Sequence, residues 1–275
     1  MSSALSFLAQ PKVASEYLHH HLVNFTAGTG FINIDEIVVS WVLAGIVLFI
    51  AWRVGRRLKA GAPSGVQNVL ETLVEFANNQ TTSLFPRAND PLVGPMALTI
   101  FVWVLIMNAM DLVPVDLLTT IAQLIALPFG FAPPEVHWRP VPTAGLAVPG
   151  ALAISVFLLT IVYGIRFHGI LGYLKRLVSH PFGIYMAPFN LAIGAVEGLA
   201  KPLSLTLRLF GNMFAGELIF ILIALFGFTW WALPIQGLLG LAWRAFESLI
   251  IVIQAFIFML LSIVYMAMVS DTESH

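Results

Sequence analysis

Residues 203–225 read LSLTLRLFGNMFAGELIFILIAL, an almost wholly apolar stretch that contains one cation, Arg208, and one carboxylate, Glu217. Its length matches a membrane-spanning helix, which needs about 20 apolar residues. A charged side chain at membrane depth costs from roughly 3 kcal/mol to several times that amount, so charges retained there are functional by default. The stretch therefore predicts a membrane protein that moves ions, with Arg208 as the first candidate functional residue.

The composition of the whole chain agrees with lipid as its surroundings. Of the 275 residues, 59% are hydrophobic and 10% are charged, which lies outside the usual range of soluble domains. The formal net charge is −1, so no basic surface suggests nucleic acid as a partner. The absence of cysteine excludes disulfides, thiolate metal sites and cysteine nucleophiles. Neither a metal nor another cofactor is predicted.

The apolar runs predict an all-α integral membrane protein with about five membrane-embedded helices and one interfacial amphipathic helix. Within a single membrane domain, residues 1–275, the last two helices are too long for a perpendicular span and are expected to be steeply tilted. The predicted segments are an external N-terminal segment (1–36), a first span (37–58), the interfacial helix (62–86), a helical hairpin with an external proline-rich loop (91–167), and two long tilted helices forming the ion path (182–270).

Two clusters of basic residues predict the orientation of the chain. One directly follows the first span and the other follows the span that ends near residue 165; they comprise Arg53, Arg56, Arg57 and Lys59, and Arg166, His168, Lys175 and Arg176. Basic residues beside spans favour the cytoplasmic side. We therefore expect a multi-pass protein with its N-terminus outside and its C-terminus in the cytoplasm.

The helix around Arg208 carries a polar stripe. At 100° per residue the stripe occupies a sector roughly 80° wide, and its members are Glu197, Lys201, Ser204, Arg208 and Asn212. Glu217 lies on the opposite face, about 13 Å from Arg208 along the axis. The cation and this carboxylate therefore serve different surfaces.

The last helix carries a second polar stripe, formed by Arg244, Glu247, Gln254 and Tyr265. Two polar stripes in lipid are expected to face each other or water. With Gln254 level with Arg208, Glu247 and Glu217 come to a similar depth on the external side. These carboxylates predict a water-filled path from outside, and Glu197, Lys201 and Ser204 predict a separate path from inside.

Three segments carry a family resemblance: LSLTLRLFGNMFAGELIF (203–220), LIIVIQAFIFMLLSIVYMAM (249–268) and MNAMDLVPVDLL (107–118). Together they closely resemble subunit a of the F-type ATP synthases, the stator of a proton-driven rotary motor. The resemblance implies that Arg208 is the essential stator arginine, facing a ring of c subunits. It further implies that Asn212, Glu217 and Gln254 line the proton channel, with Asn108 a weaker match in the outer half.

The same resemblance implies the surroundings of the chain. It implies a non-catalytic, proton-translocating subunit in a bacterial plasma (inner) membrane. The expected partners are the ring of c subunits, the b-subunit peripheral stalk, the remainder of the ATP synthase complex and membrane lipid. The choice of protons over Na⁺ is itself implied by the family, because ion selection depends largely on the rotor.

Three positions depart from the pattern of better-known bacterial relatives. Glu247 stands where some relatives carry His, so the outer path is expected to hold a carboxylate pair, Glu217 and Glu247; pairing of Glu247 with Arg244 three residues earlier is the alternative. Gly145 stands where relatives often have Asp. Glu197 lies one helical turn nearer Arg208 than the acidic residue of some relatives.

Two other classes of function remain open from the residues alone. A secondary transporter would use Arg208 to bind an anionic substrate, and it would transport without partners. A purely structural membrane subunit would tolerate changes at Arg208 and Glu217. Neither a paired aspartate motif nor a zinc-ligand spacing favours an intramembrane hydrolase.

Overall fold

The computed structural model describes residues 26–27, 32–58, 65–84, 90–113, 141–179, 182–226 and 233–270. Two strands of two residues, β1 (Thr26–Ala27) and β2 (Ile32–Asn33), pair antiparallel. The remaining long elements in this part of the chain are helices, which confirms the predicted all-α class. They are α1 (Ile34–Gly55), α2 (Val66–Leu84), α3 (Val93–Ala109), α4 (Ala147–Ser179), α5 (Ala187–Phe226) and α6 (Leu233–Ser270).

Five of these six helices are long and apolar enough to cross a membrane, and only α2 is not among them. Polar residues such as Asn68, Glu71 and Glu75 are exposed on α2 while Ala77 is buried, as expected for an amphipathic helix. The chain is a multi-pass membrane protein. Its orientation, the interfacial position of α2 and the steep tilt of α5 and α6 stay predictions.

The fourth helix differs from its predicted bounds. The span was expected to end near residue 165, whereas α4 continues through the second basic cluster to Ser179. Gly169 interrupts it with a φ of 70°, a left-handed conformation that glycine adopts without steric cost. The residues that follow, ILGYLKRLV, favour helix, so the chain resumes one after the break.

Several predicted features lie outside the described residues. These are most of the external N-terminal segment, residues 114–140 of the proline-rich connection, the tryptophans at 230 and 231, and the five C-terminal residues. The described part of that connection, residues 141–146, contains a 3-10 turn at Pro142–Ala144 and ends where α4 begins.

The helices contribute to two compact units. The first unit contains residues 1–43, 106–148 and 210–252, and the second contains residues 44–105, 149–209 and 253–275. Every helix except α2 contributes residues to both units. The predicted single domain is therefore described below as these two units, each by itself.

The second unit has an apolar core built from α2 to α6. Phe76 of α2 packs against Phe101 of α3 and Phe256 of α6, with ring centroids 5.5 and 5.7 Å apart. Leu205 and Leu209 of α5 are fully buried in the same cluster. Because Leu205 and Leu209 face this core, the neighbouring polar stripe with Arg208 lies on another side of α5.

Close packing in this unit makes Gly164 sensitive to substitution. A Cβ atom at Gly164 would lie 2.5 Å from Val269 Cγ1 and 2.7 Å from Tyr173 Cε2. We expect Gly164→Ala to lower the unfolding free energy by about 1 to 3 kcal/mol, the usual cost of overpacking. Thermal unfolding of the purified assembly measures the change.

Gly45→Ala is the matched control, because a Cβ atom at Gly45 meets nothing within 4 Å and the position is also helical. Alanine favours helix over glycine by up to about 1 kcal/mol. The control is therefore expected to be neutral or slightly stabilising. Equal unfolding temperatures for the two variants would contradict the close approach of α4 to α6.

Candidate functional site

Arg208 lies on a face of α5 that the second unit leaves uncovered. Its side chain is partly buried, and its stripe neighbour Ser204 is exposed. Large apolar side chains beside the stripe are exposed as well, with Leu203 at 57% and Leu207 at 51%. The cation is therefore presented on an apolar helix surface rather than inside the core of this unit.

Three other cations of the spanning helices in the second unit have partners within it. Arg166 contacts Asp90 at 2.9 Å, and Lys201 contacts Glu197 at 2.6 Å. Arg176 donates to the carbonyl oxygens of Met268 and Val269, each at 3.2 Å, at the end of α6. No described residue of the second unit forms a hydrogen bond or an ion pair with the Arg208 guanidinium. Within this unit Arg208 lacks the partner that these three cations have.

The predicted inner path lies next to a cavity of about 400 Å³ in the second unit. Glu197, Lys201, Arg176 and Tyr265 line the cavity together with apolar side chains. Lys201 Nζ lies 5.5 Å from the centre of the Tyr265 ring. Lys201 of the first stripe and Tyr265 of the second therefore approach each other at this cavity, whereas Ser204 is exposed and does not line it.

Gln254 is the deeply buried member of the second stripe. Its side chain is 2% exposed and belongs to the second unit with Arg208. Two turns further along α6, Ser262 is fully buried and donates to the carbonyl oxygen of Phe258. This face of α6 is therefore packed inside protein, where polar side chains bond to neighbouring helices or to enclosed water.

In the first unit, Arg244 and Glu247 form an ion pair on α6. Arg244 Nη1 lies 2.9 Å from Glu247 Oε2, and the same nitrogen donates to the carbonyl oxygen of Asp111 at 2.7 Å. The guanidinium carbon also lies 4.5 Å from the centre of the Phe220 ring. The alternative that Glu247 pairs with Arg244 is thus confirmed. The expectation of a carboxylate pair, Glu217 and Glu247, did not take into account that Arg244 lies next to Glu247.

A glycine on α5 makes room for the Glu247 carboxylate. A Cβ atom at Gly216 would lie 3.0 Å from Glu247 Oε1, and Gly216 directly precedes Glu217. Glu217 is partly buried. The α5 segment that carries Glu217 therefore packs directly on the Glu247 carboxylate.

Asn108 is the most deeply buried of the predicted channel residues. It is 0% exposed, and neither atom of its amide group hydrogen bonds to a described residue. Thr143 is equally buried in the same unit, and its hydroxyl also lacks a described partner. Buried polar groups are usually hydrogen-bonded to protein or to ordered water, so these two side chains mark a buried polar region of the first unit.

The sequence interpretation missed two buried carboxylates. Asp90, with 6% of its side chain exposed, pairs with Arg166. Glu36 was assigned to the external segment, but α1 begins at Ile34 and Glu36 is 1% exposed. Both acids lie at the edges of apolar runs, where a solvated end is the usual expectation; only packing reveals their burial. Among the described residues, no group of His, Cys, Asp or Glu could hold a metal ion.

Comparison with known proteins identifies the family. The family described as ATP synthase A chain matches residues 37–267. The chain belongs to the ATP synthase A chain family.

Similar proteins agree over nearly the full length of the chain. ATP synthase subunit a of Alkalilimnicola ehrlichii is 43% identical over 264 residues, covering 95% of this chain and 98% of that protein. The proteins of the same name from Idiomarina loihiensis and Coxiella burnetii are 45% and 42% identical, covering 94% and 97% of this chain, and 96% and 99% of their own lengths. The match to the ATP synthase A chain family therefore includes residues from all five helices that are long and apolar enough to cross a membrane.

Proposed function

We propose that this chain is the stator subunit of the membrane sector of a rotary F-type ATP synthase. In this role it works with a ring of c subunits and a b-subunit peripheral stalk in a bacterial inner membrane, with its N-terminus outside. It makes no ATP itself. It provides two offset proton half-channels, one from each side of the membrane, that lead to the ring carboxylates.

The position of Arg208 carries this proposal. A partly buried guanidinium on an uncovered apolar face, with no partner in its own unit, favours an acid supplied by another subunit. A ring carboxylate in lipid is desolvated and stays protonated, whereas a cation a few ångströms away lowers its pKa by about 1 to 3 units. Arginine suits this task because it remains charged when buried and offers a planar set of donors.

Arg208 also separates the two half-channels. In the outer one we place Glu217, Glu247, Asn108 and Asn212, and in the inner one Glu197 and Ser204, with Gln254 near the level of Arg208. A proton from either side reaches a ring carboxylate but cannot pass the fixed cation directly. Each proton that crosses the membrane releases about 2.3 kcal/mol per 100 mV of membrane potential. In the proposed function this free energy drives the rotation of the ring.

The exposed apolar residues beside Arg208 are proposed as the surface that faces the ring. Leu199, Leu203 and Leu207 recur every four residues and are 70%, 57% and 51% exposed. This spacing places them along one side of α5. A neighbouring apolar helix can slide past such a surface, because it offers few directional contacts other than the Arg208 guanidinium.

Cysteine cross-linking tests this surface. Because the chain has no cysteine, Leu207→Cys supplies a single thiol on the Arg208 face. We expect it to form a disulfide with a cysteine placed beside the ring carboxylate when the membranes are oxidised. Leu205→Cys is the matched control, since Leu205 is two residues away and 1% exposed.

The two variants must assemble to similar levels for the comparison, which immunoblots of the membranes establish. Cross-linking of residue 207 but not of residue 205 supports a ring on this face. A product at residue 205 alone, or at neither residue in fully assembled complexes, would reject it. Transport by the purified chain without partners would instead favour the secondary transporter.

A further inference from the structure

Glu36 is a buried carboxylate at the start of the first spanning helix. It is 1% exposed and lies in the first turn of α1. Its carboxylate occupies the space directly above Gly145: a Cβ atom on Gly145 would lie 2.7 Å from Glu36 Cδ and closer still to both carboxylate oxygens. The Glu36 carboxyl group therefore stands where the side chain of residue 145 would be.

The compact unit that contains Glu36 also holds other buried polar groups. Thr143, two residues from Gly145, is 0% exposed and its hydroxyl has no described hydrogen-bond partner. Asn108, Glu217 and Glu247 belong to the same compact unit as Glu36. An ionisable group within a spanning segment is costly to retain and marks ion pathways. These observations associate Glu36 with the residues assigned above to the outer half-channel.

We propose that Glu36 is a proton-carrying group of the outer half-channel, an inference that rests on the proposed function. Its carboxylate takes a proton from a hydronium ion on the external side: an O–H bond of the hydronium breaks, an O–H bond to the carboxylate forms, and neutral water is left. The bond to the carboxylate then breaks as the proton passes to the next water or carboxylate of the path. Glu36 returns to its anionic form, so the step is balanced and needs no co-reactant.

A structural role is the competing explanation, because a carboxylate in the first turn of a helix interacts favourably with the helix dipole and so stabilises the helix. The two roles predict different results for Glu36→Gln. Glutamine keeps the size of the side chain but cannot carry the proton. We expect ATP-driven proton pumping per assembled complex to fall roughly tenfold, below the hundredfold or more typical of direct proton transfer in a reaction.

Moving the carboxylate tests the shared space. Gly145 has φ −89° and ψ 161°, an extended conformation open to any residue. In the double variant E36A/G145D, alanine vacates the space and aspartate at position 145 fills it. We expect this variant to regain most of the pumping that Glu36→Ala loses. Gly145→Asp alone places two carboxyl groups in one space, and we expect poor assembly.

The experiment measures acidification of inverted membrane vesicles with a pH-sensitive dye, normalised to assembled complex by immunoblot. Glu75→Gln, an exposed acid on α2, is the control and is expected to pump normally. Normal pumping by Glu36→Gln, or no recovery in E36A/G145D at normal assembly, would overturn the role of Glu36. A loss in Glu36→Gln that follows assembly alone would also reject it.

Arg208→Ala in the same vesicles separates this inference from the function on which it rests. Loss of pumping in Arg208→Ala with normal pumping in Glu36→Gln rejects only the role of Glu36. Normal pumping in Arg208→Ala rejects the proposed stator function itself.

Discussion

Arg208→Ala is expected to abolish coupled proton transport. Without the cation, the ring carboxylate that reaches α5 is desolvated and keeps its proton, since the opposite charge that lowers its pKa is gone. We expect ATP synthesis and ATP-driven pumping to fall by about a hundredfold or more, the usual cost of removing one preorganised charge-stabilising group. Dye-monitored acidification of inverted vesicles measures pumping.

The same variant is expected to leak protons. The fixed charge that separates the half-channels is lost, so protons can pass from one to the other without rotation of the ring. An imposed potential should therefore drive passive proton flow in Arg208→Ala vesicles that no longer drives ATP synthesis. Passive proton flow without ATP synthesis would show that the barrier between the half-channels is lost. A blocked half-channel would instead stop both.

Arg208→Lys and Arg57→Ala complete the comparison. Lysine keeps a positive charge but lacks the planar set of donors and deprotonates more readily when buried, so we expect pumping well below that of the native chain. Arg57 is an exposed cation two residues beyond the end of α1, and its removal should leave pumping intact. Normal pumping by Arg208→Ala at normal assembly would refute the assignment of this arginine.

Arg244→Leu is expected to produce the largest loss of stability among the ion-pair changes. It leaves the Glu247 carboxylate, with 7% of its side chain exposed, without its cation, and it removes the donor to the carbonyl oxygen of Asp111. Breaking a fully buried pair costs roughly 3 to 5 kcal/mol. Because 30% of the Arg244 side chain is exposed, we expect about 2 kcal/mol, seen as a lower unfolding temperature of the detergent-solubilised complex.

The double variant R244L/E247L is the informative control. It removes both charges, so no uncompensated carboxylate remains in the first unit, and apolar replacements of buried pairs are often neutral. We expect it to be more stable than Arg244→Leu alone. Additive losses from Arg244→Leu and Glu247→Leu would show that the two side chains do not interact.

The helices could be predicted well from the sequence because their signals are local. Apolar runs of spanning length gave the positions of α1, α3, α5 and α6, and the polar residues among the apolar ones gave α2. The extent of α4 was missed, since its second part follows a glycine break and is rich in basic residues. The break in α4 depends on the positive φ of Gly169. The sequence does not show which glycines adopt a positive φ.

The candidate site was only partly predictable, for a similar reason. Helical periodicity placed Arg208, Ser204 and Asn212 on one stripe, and the face that carries Arg208 and Ser204 is uncovered in the second unit. Periodicity also gave the i,i+3 spacing of Arg244 and Glu247, but it left two interpretations of Glu247. The structure decides between them, because Arg244 Nη1 lies 2.9 Å from Glu247 Oε2. The same nitrogen also donates to the carbonyl oxygen of Asp111, which is 133 residues away in the chain.

The sequence by itself determined that this is a membrane protein, that its membrane-spanning elements are helices, and that one apolar helix contains the cation Arg208. These properties follow from composition and from periodicity within single helices. The tertiary structure alone decided that Glu36 is buried above Gly145 and that Glu247 has a cation as its partner. The burial of Glu36 is a contact between distant segments, whereas Glu247 pairs with Arg244 on its own helix, and that arginine also donates to the distant carbonyl oxygen of Asp111. Contacts between distant segments arise only when helix faces pack against one another.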